Sequence, residues 1–312
     1  MNWLPEEASN LARNVDTVIW FVTIISLVFF FLITVVLVFF AIKYRRKSGE
    51  DETPYITGNH FLETLWTIVP SILVLVIFAY GFIVFKQMRT PPQEALEVNV
   101  IGKQWLWQFQ YDNGKTTINE LYVQQNRPVK LIMRSEDVIH SFFVPAFRVK
   151  QDLLGGMYTY LWFTPTKVGV FDLYCAEYCG AAHSKMLGKV IVMSPEAYER
   201  WRKGEEREEQ KGVASISPVQ LGEQLYQQRG CNACHTIDGT PSVGPSWKGL
   251  FGHEVTLQDG TKVTADENYI RESILEPQAK LVKGYQPVMP SFKGILTDEE
   301  ISAIIAYIKT LK

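Results

Sequence analysis

Cysteine is scarce in this chain, with four among 312 residues. Two close pairs exhaust them, Cys175 with Cys179 and Cys231 with Cys234, so none is left for a disulfide scaffold. Histidine is equally sparse, at five. Net charge is −2 and lysine and arginine form no extended basic block, which removes the electrostatic footprint of a nucleic-acid binder. There is no internal repeat and no low-complexity tract, so a solenoid or a disordered tail is excluded as the organising principle.

Apolar residues are abundant but unevenly spread. Residues 17–42 and 64–85 carry no charge. As helices they would run roughly 39 and 33 Å, enough for a bilayer core of about 30 Å. Buried core helices are the alternative, but uncharged runs of this length are rare in soluble folds. Lys43, Arg45, Arg46 and Lys47 lie between the two spans, while the outer flanks hold fewer cations. The positive-inside rule therefore puts the connecting loop in the cytoplasm, with both termini on the outer side of the membrane. No basic n-region precedes a short apolar h-region, so the chain reads as lacking an ordinary signal peptide.

The remainder divides by pattern. The anchor occupies 1–90. Residues 91–194 are rich in short alternating runs: 96–100, 129–133, 168–174 and 189–192, with turn signals at 112–114 and 126–128. Trp105, Trp107, Phe109 and Tyr111 alternate and should share one strand face. Such a series predicts a β-sandwich or barrel. Residues 195–216 begin with a short helix and include, over 203–212, a charged stretch without apolar residues, a solvated linker. Residues 217–312 read as helical. Ser217, Pro218 and Gln220 open one helix, and Thr297 with Glu300 opens a last one carrying Ile301, Ile304, Ile305 and Ile308 on one face.

Two ligand constellations stand out. Cys175, Cys179, His183 and Met186 fall within twelve residues. This soft set suits copper better than zinc, for which a thioether is rarely a ligand. A mononuclear blue site needs one cysteine; the second thiolate permits two coppers bridged by two sulfurs. His140, the one upstream histidine of the β region, could supply the other terminal imidazole. A disulfide, a structural zinc and a single copper remain alternatives. The second constellation, Cys231-Asn-Ala-Cys234-His235, has the spacing of covalent c-type haem attachment, with His235 as axial ligand. A thioredoxin-like pair would need a βαβ setting that is absent. Met289, flanked by prolines and the one methionine after the haem motif, is the candidate distal ligand, with a plain core role as the alternative.

The pattern C-x-E-x-C-x-x-x-H-x-x-M, together with the earlier His140-Ser-Phe loop, resembles the dinuclear copper A centre of cytochrome c oxidase subunit II. The C-terminal part is similar to a class I cytochrome c. The resemblance covers nearly the whole chain and implies a two-helix hairpin, then a cupredoxin sandwich, then an all-α cytochrome domain. It implies that Cys175 and Cys179 bridge two coppers, with His140, His183 and Met186 as further ligands and Glu177 lending its backbone carbonyl. It also implies magnesium at the Glu177 carboxylate, at an interface with the catalytic subunit. Trp105 matches the residue through which electrons enter the copper domain, although it also reads as a core tryptophan. Glu63 matches a glutamate at the inner mouth of a proton channel, or serves as an ordinary interfacial carboxylate. Pro245 matches the proline whose carbonyl orients the haem histidine. Gly222, Tyr226 and Tyr307 match the crossing of the terminal helices. Gly155 and Met157 stand where the family often has proline and arginine, so contacts of that arginine do not carry over.

The function implied is the electron-input subunit of a haem–copper oxygen reductase. An external donor, such as a cytochrome complex or soluble redox protein, would reduce haem c. The electron would pass through the copper pair to the a-type haem of subunit I, which reduces oxygen to water and pumps protons. Lipid and further membrane subunits would complete the setting. A copper-containing nitric oxide reductase subunit and a membrane-anchored shuttle are the rival readings.

Overall fold

The computed structural model describes residues 4–46, 49, 55, 57–205 and 217–312. Lys47 of the basic loop and the linker from residue 206 to 216 lie outside the described residues. The chain divides into two compact units, residues 11–90 and residues 1–10 with 91–312.

The smaller unit is a pair of long helices, α1 (Ala12–Lys43) and α2 (His60–Met88). At 1.5 Å per residue they span roughly 48 and 44 Å. Asn14 near the start of α1 donates to Gln87 near the end of α2 (3.1 Å), and Phe21 meets Tyr80 edge-on, so the pair runs antiparallel. Large apolar side chains such as Phe30, Leu37, Val74 and Phe78 are exposed along both helices. Water would penalise that surface, whereas lipid accepts it, because each helix satisfies its backbone internally. Asn59 caps α2 by accepting from Leu62 N–H (3.2 Å), and Glu63 reaches back to Asn59 N–H (3.3 Å).

In the larger unit, ten strands form a sandwich: β1 (Leu96–Lys103), β2 (Leu106–Tyr111), β3 (Thr116–Ile118), β4 (Glu120–Gln124), β5 (Val129–Ser135), β6 (His140–Val144), β7 (Val149–Leu153), β8 (Thr159–Phe163), β9 (Gly169–Cys175) and β10 (Leu187–Met193). One sheet has the order β3-β2-β1-β5-β8, the other β4-β10-β9-β6-β7. Period-two burial sets the register: Leu96, Val98 and Val100 point inward while Glu97 and Asn99 face solvent. Trp107, Phe109, Phe142 and Phe163 are fully buried, and Trp107 and Phe109 both meet Phe142 edge-on. Each such ring contributes about 1.5–3 kcal/mol by burial.

The structure corrects one strand expectation. Trp107, Phe109 and Tyr111 share the inner face of β2, but Trp105 does not belong to that strand. Lys103 pairs with Leu106, so Gln104 and Trp105 form the turn between β1 and β2. The pairing ends there because the chain must reverse, and the indole is released to face the metal-ligand loop. After the sandwich, α3 (Pro195–Lys203) starts at a Ser194 cap and lays Trp201 flat on Tyr122.

The C-terminal part contains α4 (Pro218–Gln228), α5 (Glu267–Leu275) and α6 (Asp298–Ile308). Both expected capping boxes are formed, Ser217 with Gln220 and Thr297 with Glu300. The region is not wholly helical. A small antiparallel hairpin, β11 (Glu254–Thr256) with β12 (Lys262–Thr264), intervenes around a turn at Gly260. Helices α4 and α6 cross at Gly222, where a Cβ would lie 2.1 Å from the Ala303 carbonyl oxygen. Only glycine permits that approach.

Candidate metal centres

Three segments of the sandwich converge on one point. β6 begins with His140, β9 ends with Cys175, and the loop from β9 to β10 carries Glu177, Cys179, His183 and Met186. His140, Cys175, Cys179 and Met186 are buried. The two sulfurs lie 3.8 Å apart, far beyond a disulfide bond, and both cysteines are free. His140 Nδ1 is 4.0 Å from the Cys175 sulfur, and His183 Nδ1 is 3.4 Å from the Cys179 sulfur. Met186 Sδ is 3.8 Å from Cys179 Sγ, and the Glu177 carbonyl oxygen is 3.2 Å from Cys175 Sγ. The donor atoms of His140, Cys175 and Cys179 all lie within 4.8 Å of one another.

This donor set fits copper. Metal–thiolate bonds of about 2.3 Å allow one ion to span sulfurs at this separation. With an imidazole beside each sulfur, a soft thioether and a carbonyl, there are donors for two ions sharing both thiolates. The electrostatics suit a ligand site. The Cys179 contact acts most strongly to favour Cys175 thiolate, with further help from His140, and Cys175 is pulled down to about 4 despite burial. The same contact and burial push Cys179 up, so the sulfurs share a proton that a metal would displace. Burial disfavours the charged form of His140, but Asp137 and Cys175 outweigh it and raise its pKa.

Asp137 is a site residue that the sequence reading missed. Its Oδ1 lies 2.7 Å from His140 Nε2, so it fixes the ring with Nδ1 toward the sulfurs. Its other oxygen accepts from Gln104 N–H at 2.7 Å. A ligating histidine normally hands its second N–H to a carboxylate, and an acid three residues before His140 was the available signal. The turn at Gln104 and Trp105 is tied to the same centre. The Gln104 amide and the Trp105 indole N–H both donate to the Cys179 carbonyl, at 2.8 and 3.0 Å. The Glu177 side chain is exposed, and among the described residues it is not grouped with other metal-binding side chains.

A second cluster surrounds His235. An apolar cavity is lined by Cys231, Cys234, His235 and Met289, and also by Gln104 and Trp105 of the sandwich. His235 Nδ1 lies 2.7 Å from the Pro245 carbonyl, which leaves Nε2 for a ligand. Burial holds His235 below the ordinary imidazole range, so the ring is neutral and able to ligate. Gly244 passes so close that a Cβ there would lie 2.7 Å from His235 Cε1. Tyr226 donates to the His235 carbonyl (2.6 Å) as well as meeting Tyr307 at the helix crossing. Burial raises Cys231 to about 12 and Cys234 to about 11, and both remain free thiols. An apolar slot with two thiols and an oriented imidazole fits a covalently held haem. Glu63, by contrast, lies in the helical unit at the start of α2, where His60 and the Asn59 N–H contact its carboxylate.

Known proteins match all three parts. Residues 1–84 match the family described as cytochrome c oxidase subunit II, transmembrane domain. Residues 115–194 match its periplasmic domain, and residues 219–312 match cytochrome c. The chain is 32% identical over 302 residues to cytochrome c oxidase subunit 2 of Alkalihalophilus pseudofirmus, covering 93% of this chain and 86% of that one. It is 28% identical over 314 residues to cytochrome c oxidase subunit 2 of Bacillus subtilis, again covering 93% and 86%. Among solved structures, the periplasmic domain of subunit II of cytochrome oxidase from Bradyrhizobium japonicum is 30% identical, with a TM-score of 0.36. It covers 38% of this chain and 98% of its own.

Proposed function

Because the chain belongs to the cytochrome c oxidase subunit II family, we propose that it relays electrons from an external donor through two built-in redox sites to the catalytic subunit. It is a membrane-anchored oxidase subunit with a periplasmic domain and a cytochrome c domain, and electron input is its part. The proposed division is an anchor over 1–90, a copper domain over 91–194, a linker over 195–216 and a haem domain over 217–312. Both metal domains and both termini would lie on the periplasmic side of the plasma membrane.

Cys175, Cys179, His140, His183, Met186 and the Glu177 carbonyl would hold the copper pair. Cys231 and Cys234 would hold the haem, with His235 and Met289 as axial ligands and Pro245 orienting His235. The bound groups would supply one-electron redox chemistry between the donor and an a-type haem of subunit I, supporting oxygen reduction to water and proton pumping there. The residues of this chain keep the sites dry, fix ligand orientation and limit reorganisation. The exposed Glu177 carboxylate is suited to magnesium at the subunit interface. Glu63, at the cytoplasmic end of its helix in this orientation, would stand at a proton-channel mouth.

The observation that carries the relay is the Trp105 turn. Its indole donates to the Cys179 carbonyl while its ring borders the cavity that holds His235. One side chain therefore touches both sites. Deleting residues 217–312 in the intact oxidase should slow turnover with the native donor, while the copper still accepts electrons from added soluble cytochrome c. Unchanged turnover with the native donor would overturn the relay.

A further inference from the structure

Arg229 lies at the C-terminal end of α4, two residues before Cys231. Its side chain is only 18% exposed. Nη1 donates to Glu120 Oε2 at the start of β4 in the sandwich (3.2 Å). Nη2 donates to Glu300 Oε1 at the start of α6 (3.0 Å). Both carboxylates are themselves held: Tyr122 O–H donates to Glu120 at 3.0 Å, and Thr297 N–H donates to Glu300 at 2.8 Å. A planar guanidinium fork thus meets two preset acceptors on two different folds.

Other contacts cross the same seam. Lys185 donates to the Asn232 carbonyl (3.2 Å). Gly230 sits so close to Asn119 that a Cβ would lie 2.7 Å from its amide nitrogen. Leu106 and Ile118 of the sandwich join the apolar core of residues 217–312. Two aliphatic side chains are non-directional and leave the angle between the folds free. A buried ion triad is directional, and register is its best-attested use.

We propose that Arg229 is an interdomain latch, a positioning residue that seats the haem domain on the sandwich and holds its cavity against the Gln104–Trp105 turn. The proposal rests on the relay reading for its purpose, but the latch is tested without moving an electron. Hydroxyl-radical footprinting of the intact oxidase gives the test. Trp105, at the seam, should oxidise roughly threefold or more faster in Arg229→Gln, as expected for local opening. Trp107, inside the sandwich core, serves as the internal control and should not change. Glu120→Gln, which leaves every haem-domain residue native, should give the same rise and decides the matter if Arg229→Gln also perturbs Trp107.

The exchange Arg229→Glu with Glu120→Arg, with Glu300→Gln added so that no like charge faces the new carboxylate, keeps a cation–carboxylate pair across the seam and should restore slow oxidation. A role confined to capping the haem domain would not be rescued this way. Haem stain and haem potential should stay constant across the set. Unchanged Trp105 oxidation in the decisive single variant, or a rise that the exchange fails to reverse, overturns the latch. Failure of the relay alone would leave the footprint pattern intact.

Discussion

The two candidate metal centres are built on opposite principles. The candidate copper donors sit on a framework that is already complete: paired strands β6 and β9 of one sheet fix His140 and Cys175, and hydrogen bonds from Asp137 and Gln104 hold the His140 ring and the loop that follows β9. The candidate haem donors line an apolar cavity in a small, mostly helical shell. Asp137, Gln104 and Trp105 support the first centre from outside the ligand set. In the second, Cys231, Cys234 and His235 would be attachment points on one short segment, and Met289 would come from a distant one. A site with a finished frame tolerates loss of its metal. A domain that wraps its cofactor does not.

The largest expected effect tests this difference directly. Replacing Cys231 and Cys234 together by serine should remove covalent haem and with it the ordered fold of residues 217–312. Haem-stained gels and far-UV circular dichroism would register both losses. Stripping copper by chelation should leave the β spectrum of the sandwich in place, and its collapse would erase the contrast.

A smaller effect is expected at the helix crossing that closes the haem shell. Gly222→Ala pushes a methyl into the Ala303 carbonyl, a backbone atom that cannot step aside. Overpacking of this kind costs about 3 kcal/mol at its upper range. Thermal melting followed at the haem band should fall while the sandwich transition stays in place.

The smallest effect falls on the copper frame. Asp137→Asn leaves every donor but weakens the hold on His140 Nε2. Copper affinity should drop about tenfold, or about 1.4 kcal/mol, as for other supporting partners of a metal ligand. A competition titration against a chelator measures it. A loss as large as that for Cys175→Ser would mean that the frame is softer than its hydrogen bonds imply.

Much of this was legible in the sequence because ligand chemistry is local. Cys175, Cys179, His183 and Met186 fall within one loop, and Cys231, Cys234 and His235 within another. Scarcity then singled out His140 and Met289. The helical pair was legible because uncharged runs of such length have few other uses. What escaped was set by chain reversal and by distance. Alternation placed Trp105 on a strand face, because a two-residue turn does not interrupt the count of aromatics. The β11–β12 hairpin is only three residues deep on each side, too short for a period to register. Glu120 and Arg229 are 109 residues apart, and no local pattern links them.

The Cys179 carbonyl, which accepts from both Gln104 and Trp105, also bears on engineering. A designer moving the ligand loop into another sandwich would carry over all the donors on 175–186 and still leave behind the peg on which Cys179 hangs. The transplantable unit is therefore two hairpin tips on facing sheets, residues 104–105 and 175–186, grafted together with His140 at the head of β6.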